Sequence, residues 1–231
     1  MTSETGAPTV QICANCGGGA PLDVHFCPQC TKILSLGRHG DYFAFLGIPR
    51  KLNLDGSELE RKFRTLSRQF HPDYFYNRTP PERRASLERS SYLNDAYRTL
   101  KQPTARIEYL LEIECASGRA SGGASSQVPP SLLEEVFALN EELDTVREMR
   151  EEGVPLHEWR SRLDRARGPI EAKRAKHERD LEALSAEWDA LVDQETNADD
   201  RMRVLNLLRE RMLERNYIQN LLAGIERELT E

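Results

Sequence analysis

The sequence of 231 residues lacks any long apolar run. No window approaches the roughly 18 uncharged apolar residues of a membrane span, so we expect no membrane contact. The first twelve residues, MTSETGAPTVQI, contain no arginine, no lysine and no apolar core. A secretory signal is therefore not expected, and an arginine-rich transit peptide has no support. These absences predict an intracellular protein, located in the cytoplasm, or in the mitochondrial matrix if the source is a eukaryote.

The second half of the chain also lacks an excess of basic charge. Residues 1–130 carry 16 Lys and Arg against 13 Asp and Glu, a net charge of +3, whereas residues 131–231 carry 16 against 25, a net charge of −9. A dominant nucleic-acid-binding surface would need a basic domain or stripe. We therefore expect no nucleic-acid partner. A nucleic-acid-binding protein with a zinc ribbon stays open as an alternative from another functional class.

Composition divides the chain into four segments. Residues 1–37 are rich in Gly, Pro and Cys and lack helical periodicity, and residues 38–115 show helical patterns interrupted by proline. Residues 116–130, ASGRASGGASSQVPP, are small and polar, which is typical of a flexible linker. Residues 131–231 are almost wholly helical in pattern. The expected fold class is therefore all-α, preceded by a small cysteine-containing module.

Four of the five cysteines form two Cys-x-x-Cys pairs, Cys13 with Cys16 and Cys27 with Cys30. Two such turns can complete a tetrahedral site of four thiolates, which Zn²⁺ prefers in structural sites. A segment of under about 40 residues buries too little core to fold without such a staple. We predict structural Zn²⁺, while a redox dithiol and iron stay open. His25 is expected at the surface or beside the ligands.

The middle segment contains a basic amphipathic helix. In SELERKFRTLSRQF, residues 57–70, the apolar side chains recur at helical spacing. Asp55 or Ser57 can cap this helix, each with a glutamate three residues later. A second face carries basic residues that we call the arginine stripe: Arg61, Lys62, Arg64 and Arg68. Such a face is usually only solvated, but this one ends at an unusual turn.

A second helix returns after that turn. Thr79 is its expected cap, Pro80 its first residue and Glu82 the closing residue of a capping box. The residues that it should offer to a core are Leu87, Leu93, Ala96, Tyr97 and Leu100. Two amphipathic helices joined by roughly ten polar residues form an antiparallel hairpin. A short apolar helix in residues 41–48 should cross the hairpin, and residues 104–114 supply a fourth helix.

The turn itself contains His71, Pro72 and Asp73. A catalytic pair is a weak interpretation, because no nucleophile or glycine-rich phosphate loop accompanies it. A metal site would need further ligands close by in sequence. Pro72 disfavours helix at His71 and stiffens the turn. A rigid, exposed His-Pro-Asp turn beside the arginine stripe fits a recognition surface better than a plain turn.

The C-terminal segment predicts a three-helix bundle over about 131–151, 155–194 and 198–230, with an irregularity at Gly168–Pro169. The apolar stripe of its first helix is wider than one bundle seam requires. Leu132, Val136, Leu139 and Leu143 follow one seam. Leu133 and Phe137 lie to one side, where they are either an exposed contact pair or part of the core.

The middle segment resembles a J-domain, the module through which co-chaperones activate DnaK-class chaperones. The stretches DYFAFLGIP, SRQFHPDYF and SSYLNDAYRTLKQPTARIEYLL, with the acidic helical tail, resemble the HscB family of iron–sulfur-cluster co-chaperones over roughly residues 41–231. The tetracysteine segment resembles an N-terminal extension of some members. Tyr74 is a departure, because many J-domains have lysine after the aspartate.

The resemblance implies a co-chaperone without enzymatic activity of its own. His71, Pro72 and Asp73, with the arginine stripe, would stimulate ATP hydrolysis by a DnaK-class, HscA-like chaperone. Leu133 and Phe137, with Tyr217 as the expected third residue, match the positions that hold the iron–sulfur scaffold protein in the family. A J-domain protein with another client stays open. A homodimer formed through the cysteine segment has no sequence signature and also stays open.

Overall fold

The computed structural model describes residues 10–21, 24–36, 41–116, 132–194 and 197–230. Within these ranges the chain forms two short strands and seven α-helices. The strands are β1 (Val10–Ile12) and β2 (Gly19–Pro21), which pair antiparallel. The helices are α1 (Tyr42–Leu46), α2 (Gly56–Phe70), α3 (Pro80–Lys101), α4 (Pro103–Ala116), α5 (Leu133–Glu151), α6 (Leu156–Asp193) and α7 (Ala198–Thr230).

The predicted fold class is confirmed, with a helical hairpin, a three-helix bundle and a small cysteine-containing module. Contacts divide the chain into two compact units, Met1–Ile113 and Glu114–Glu231. The first unit contains the cysteine module together with α1, α2 and α3. The four predicted segment boundaries stay predictions, and the predicted linker lies outside the described residues beyond Ala116.

Helices α2 and α3 pack as the expected antiparallel hairpin. Phe63 stacks on Tyr97 with 4.2 Å between ring centroids, while Phe70, further along α2, contacts the earlier part of α3 through Ser86. Asp55, rather than Ser57, caps α2 by accepting a hydrogen bond from the Ser57 amide at 2.8 Å. The apolar faces of α1, α2 and α3 therefore close over one core.

The start of α3 is held by the predicted capping box. The Glu82 carboxylate accepts hydrogen bonds from the Thr79 amide at 3.1 Å and from the Thr79 hydroxyl at 2.7 Å. Leu87 was expected in the core, but it is 59% exposed. The helical spacing that placed it with Leu93 cannot distinguish the edge of a buried face from its centre.

The second unit is built from α5, α6 and α7. Its core includes Leu132, Leu139, Leu143, Val146, Trp159, Leu163, Ile170, Ile218 and Ile225. Helix α6 continues through Pro169 without the predicted irregularity. A proline inside a helix costs roughly 3 kcal/mol, and the burial of Leu163 and Ile170 on either side offsets that cost. None of the helices in the described ranges is long and apolar enough to cross a bilayer.

Candidate functional site

The four cysteines of the predicted metal site come together at one point. Their Sγ atoms all lie within 4.8 Å of one another. The separation is 3.6 Å between Cys13 and Cys30 and 3.7 Å between Cys16 and Cys27. Four thiolates about 2.3 Å from a central Zn²⁺ would be about 3.8 Å apart in a regular tetrahedron. The thiol geometry therefore fits a four-coordinate metal ion, and the distances exceed the roughly 2.0 Å of a disulfide.

Each cysteine pair lies in its own backbone turn, and the two turns have the same form. The carbonyl of Cys13 accepts a hydrogen bond from the Gly17 amide at 2.9 Å, and the carbonyl of Cys27 accepts one from the Thr31 amide at 2.9 Å. Gly17 and Thr31 both have left-handed backbones, with φ of +70° and +57°. Glycine adopts this conformation freely, whereas a residue with a side chain incurs a cost of about 1–2 kcal/mol.

The thiols of the cluster differ in acidity. A hydrogen bond from the Lys32 amide lowers the pKa of Cys30 to about 6. The pKa of Cys16 rises to about 12 against the opposing hydrogen bond of the Gly18 amide, because contacts with the neighbouring sulfurs, Cys30 first, favour its protonated form. A bound cation would favour the thiolate at every ligand and release protons, so metal affinity should fall at low pH.

His25 is packed against the helical hairpin, which differs from the position expected at the surface or beside the ligands. Its ring meets Phe45 and Phe70 edge-on, at centroid distances of 4.8 Å and 4.9 Å. Its Nδ1 atom lies 2.7 Å from a guanidinium nitrogen of Arg89. The cysteine module thus reaches the core of the hairpin through a residue two positions before Cys27, one of the four clustered cysteines.

Arg89 of α3 is a wholly buried charge that sequence reasoning did not identify. Its Nε donates a hydrogen bond to the Leu34 carbonyl at 2.8 Å, and its Nη2 donates one to the Ser35 carbonyl at 3.0 Å. Burial lowers the pKa of Arg89 to about 10, so the side chain stays charged at neutral pH. No local pattern indicates this contact, because its partners are about 55 residues away in the sequence.

The His-Pro-Asp turn is exposed at the end of α2. Pro72 begins a short 3₁₀ turn, Pro72–Phe75. The side chains of His71 and Asp73 are 51% and 87% exposed, and the Asp73 amide donates a hydrogen bond to Nδ1 of His71 at 3.3 Å. The pair therefore lies on an open surface.

Tyr74, the residue that departs from the J-domain pattern, shares this surface. Its ring lies edge-on to that of His71 with 6.1 Å between centroids, and its side chain is 69% exposed. The tyrosine replaces a cation with an aromatic contact beside the histidine.

The arginine stripe of α2 leads to the turn, but its side chains differ in how strongly they are held by contacts within the chain. Lys62 donates a hydrogen bond to the Gly47 carbonyl at 2.6 Å, which ties α2 to the end of α1. Arg61 and Arg64 are exposed and pair weakly with glutamates on their own helix. Arg68 is exposed and has no ion pair within the described ranges. Arg61, Arg64 and Arg68 are therefore available to a partner, whereas Lys62 also has a structural role.

The predicted apolar contact pair of α5 is solvent-accessible. The side chains of Leu133 and Phe137 are 39% and 67% exposed, whereas Leu132 and Leu139 beside them are buried. The alternative that the whole stripe belongs to the core does not describe these two residues. Tyr217 of α7 is only partly buried and packs against the bundle core, so it lies at the boundary between core and surface.

Comparison with known proteins agrees with these features. The DnaJ domain family matches residues 41–109. A co-chaperone protein HscB homolog of Vibrio parahaemolyticus is 33% identical over 125 residues, which cover 54% of this chain and 72% of the relative. The chain belongs to the HscB co-chaperone family. An HscB homolog of Vibrio cholerae is 38% identical over 106 residues, which cover 46% of this chain and 61% of that relative.

Solved HscB structures match over a larger part of the chain. The crystal structure of the human co-chaperone protein HscB has a TM-score of 0.63 at 25% identity, covering 94% of this chain and 98% of that one. The chaperone HscB from Vibrio cholerae has a TM-score of 0.51 at 26% identity, covering 81% and 96%. The similarity to the HscB fold therefore extends beyond the J-domain.

Proposed function

We propose that this HscB-family chain stimulates ATP hydrolysis by a DnaK-class, HscA-like chaperone and delivers the iron–sulfur scaffold protein to it. The observation that carries the proposal is the exposed His-Pro-Asp turn at the end of a basic helix. His71 and Asp73 stand on an open surface, so the chemistry that they control belongs to the partner. The proposal places the protein in the cytoplasm, or in the mitochondrial matrix if the source is a eukaryote.

The turn would act by shifting the partner between conformations. A ligand shifts such an equilibrium only by as much as it binds one state more tightly than the other. Pro72 restricts the backbone next to His71, and the bond from the Asp73 amide to His71 orients the imidazole. A preordered turn loses little conformational entropy on binding, so more of the contact energy can favour the hydrolysis-competent state of the partner.

The steady-state ATPase rate of a DnaK-class chaperone tests the first half of the proposal. We expect the full chain to raise this rate and His71→Gln to abolish the increase. His157→Gln is the matched control, because His157 is an exposed histidine of the second unit. Absence of stimulation by the wild-type chain, or equal stimulation by the His71 variant, would contradict the proposal.

The arginine stripe would supply electrostatic docking to an acidic surface of the chaperone. Exposed charges at an interface chiefly set the association rate and its salt dependence. We expect the double variant Arg64→Glu, Arg68→Glu to slow association by roughly tenfold at low salt. Arg98→Glu on α3, whose side chain is also exposed, is the control. An equal decrease in both variants would indicate net charge rather than a docking surface.

The second half of the proposal assigns the scaffold protein to Leu133, Phe137 and Tyr217. Exposed apolar side chains on a stable helix are suited to insertion into a partner pocket, and a few residues carry most of the binding energy of an interface. We expect Leu133→Ala with Phe137→Ala to weaken scaffold binding by about 2 kcal/mol or more. The control is Leu156→Ala, because Leu156 is an exposed apolar residue of the same unit.

The fluorescence of Trp159 and Trp188 checks the fold of these variants, because both tryptophans of the chain are buried in the second unit. Loss of scaffold binding with unchanged fluorescence would support the assignment. Melting of the unit would show that Leu133 and Phe137 stabilise the bundle instead. Tight binding to an unrelated client, without binding to the scaffold, would favour a J-domain protein with other cargo.

The proposal also assigns structural Zn²⁺ to Cys13, Cys16, Cys27 and Cys30. The metal would supply a cross-link between the two turns, with all four positions filled by the protein and none open for chemistry. Metal analysis of the purified chain should give one zinc per chain. One iron, or a reversible disulfide in place of a metal, would contradict the assignment.

A further inference from the structure

The burial of Arg89 links the cysteine module to the helical hairpin. Its guanidinium faces three residues of the module: Leu34, Ser35 and His25. An arginine buried without hydrogen-bond acceptors is strongly destabilising. The module therefore supplies the hydrogen-bond partners of this buried charge, and a displaced module would leave Arg89 without them.

Phe70 connects Arg89 to the His-Pro-Asp turn. It is the last residue of α2, is wholly buried and directly precedes His71. The guanidinium carbon of Arg89 lies 5.7 Å from the centre of the Phe70 ring. The Phe70 carbonyl accepts hydrogen bonds from the hydroxyls of Ser86 at 2.6 Å and Ser90 at 2.9 Å.

These contacts restrain the position from which the turn begins. The last carbonyls of a helix lack partners within the helix, and Ser86 and Ser90 supply partners for Phe70 from the same stretch of α3 that contains Arg89. The ring of Phe70 packs on that of His25. Both the backbone and the side chain of the residue before His71 are thus held by Arg89 and its neighbours.

The same module also holds the start of α3, the helix that follows the turn. Lys32 forms an ion pair with Glu82 at 3.0 Å, and Glu82 closes the capping box of α3 at Thr79. Lys32 is two residues from the metal ligand Cys30. The module therefore contacts the residues that precede the turn and the residues that follow it.

We propose that the tetracysteine module orients the His-Pro-Asp turn, with Arg89 as the positioning residue that transmits metal loading to Phe70 and His71. This inference deepens the proposed function and rests on it for its effect on a chaperone. The structural part of the inference stands without a partner. Loading of the metal would thereby control the effectiveness of the turn without adding a contact to the chaperone.

The test compares Arg89→Met with Arg98→Met in the full, metal-loaded chain. Methionine keeps much of the length of the side chain but removes its charge and donors. Arg98 is an exposed arginine on the same helix, 80% accessible to solvent. The reporter is the Asp73 amide, which donates a hydrogen bond to His71. Its NMR chemical shift and its hydrogen-exchange rate are measured.

We expect Arg89→Met to shift the Asp73 signal and to speed exchange across residues 70–76 by about tenfold or more, with metal content unchanged. Arg98→Met should leave both readouts at wild-type values. A folded Arg89→Met chain that retains the wild-type Asp73 signal and exchange rate would overturn the inference. So would an equal shift in both variants.

ATPase measurements separate positioning from docking. Arg89 is buried and cannot touch a partner, while the arginine stripe remains intact. We expect Arg89→Met to lower the maximal stimulation by about tenfold or more. The concentration of the chain that gives half-maximal stimulation should change by less than about twofold, because the stripe chiefly sets association. The reverse pattern would contradict a positioning role.

Arg89→Lys and metal removal keep the inference testable if Arg89→Met does not fold. Lysine retains the charge but lacks the fixed fork of donors, so we expect intermediate exchange at Asp73. Wild-type exchange in Arg89→Lys would overturn the role of directed hydrogen bonds. Chelation of the metal from the wild-type chain should shift the Asp73 signal while α2 and α3 keep their exchange protection.

An unchanged Asp73 signal after chelation would also overturn the inference. Collapse of the whole first unit would do so as well, because the module would then be a general stabiliser. Failure of the wild-type chain to stimulate any DnaK-class ATPase would contradict only the proposed function. The NMR and exchange readouts involve no chaperone, so the two failures can be distinguished.

Discussion

In the first compact unit, the candidate contact residues lie on a turn between two helices, and another segment of the chain contacts both helices. His71 follows the buried Phe70, which packs on His25 of the cysteine module. In the second unit, Leu133 and Phe137 project from the regular helix α5, whose opposite side supplies the bundle core. The turn depends on long-range polar contacts, whereas the α5 pair depends only on the helix that carries it.

Because of this difference, different changes to the chain would disrupt the two surfaces. Removal of a distant partner can alter the His-Pro-Asp turn without any change to its own residues. The α5 pair can be lost only by substitution of the pair or by melting of the bundle. Under the proposals above, we expect the surface of the first unit to respond to metal loading and the surface of the second unit to respond to core packing.

Metal removal should give the largest contrast between the two units. Apparent binding free energies for structural zinc are on the order of 10 kcal/mol at neutral pH, and only the first unit contains the four thiols. After chelation we expect residues 24–36 to lose hydrogen-exchange protection, while the emission of Trp159 and Trp188 stays constant. A change in tryptophan emission would show that the two units do not respond independently.

Replacing a side chain by alanine on the buried or on the exposed face of α5 should give the next largest contrast. Leu139 is buried and Phe137 is exposed. We expect Leu139→Ala to lower the free energy of unfolding of the second unit by about 2–5 kcal/mol and Phe137→Ala to change it by less than about 0.5 kcal/mol. Denaturant unfolding followed by tryptophan fluorescence measures both. Comparable losses would place Phe137 in the core.

A smaller effect should come from the Lys32–Glu82 ion pair. Burial of Glu82 opposes ionisation, but hydrogen bonds from Thr79 and Lys32 outweigh it and lower the pKa of Glu82. A lowered folded-state pKa stabilises the fold above the unfolded value of about 4.3, and this contribution is lost as the pH falls through the folded value. Lys32→Met should raise the pKa of Glu82. It should also lower the free energy of unfolding at neutral pH by about 1–2 kcal/mol.

A carboxyl-carbon NMR titration of Glu82 checks the change in pKa. Lys176→Met, which replaces an exposed lysine of the second unit, is the control and should leave the Glu82 titration unchanged. An unchanged pKa in Lys32→Met would show that Thr79 alone holds the carboxylate. The contact of the module with the start of α3 would then be weaker than the geometry indicates.

The smallest effect should distinguish the two cysteine turns. A Cβ at Gly17 would meet no atom within 4 Å, so Gly17→Ala tests the left-handed backbone alone. We expect it to weaken metal retention by about 1 kcal/mol, or roughly fivefold in a chelator competition. Thr31→Ser should have little effect, because serine keeps both the Cβ and the hydroxyl that donates a hydrogen bond to the Cys30 carbonyl at 2.7 Å. Equal effects would mean that side-chain contacts dominate the turns.

Much of the fold follows from local patterns. The capping box at Thr79 and Glu82, the Cys-x-x-Cys pairs and the helical spacing of α2 each act over a few residues, so their residue types indicate the structure directly. The continuity of α6 through Pro169 could not be anticipated in this way. A proline signals a break locally, whereas the burial on either side of it that offsets the cost comes from other helices.

The sequence by itself determined the tetracysteine site, the His-Pro-Asp turn and the three long helices of the second unit, because each depends on neighbours within a few residues or on one helical period. Tertiary structure decided that Leu87 is exposed, that Phe137 lies outside the core, and that Arg89 is buried against His25. Periodicity identifies a helix face but not what covers it. A contact between residues 64 positions apart depends on packing and on the need to satisfy a buried charge.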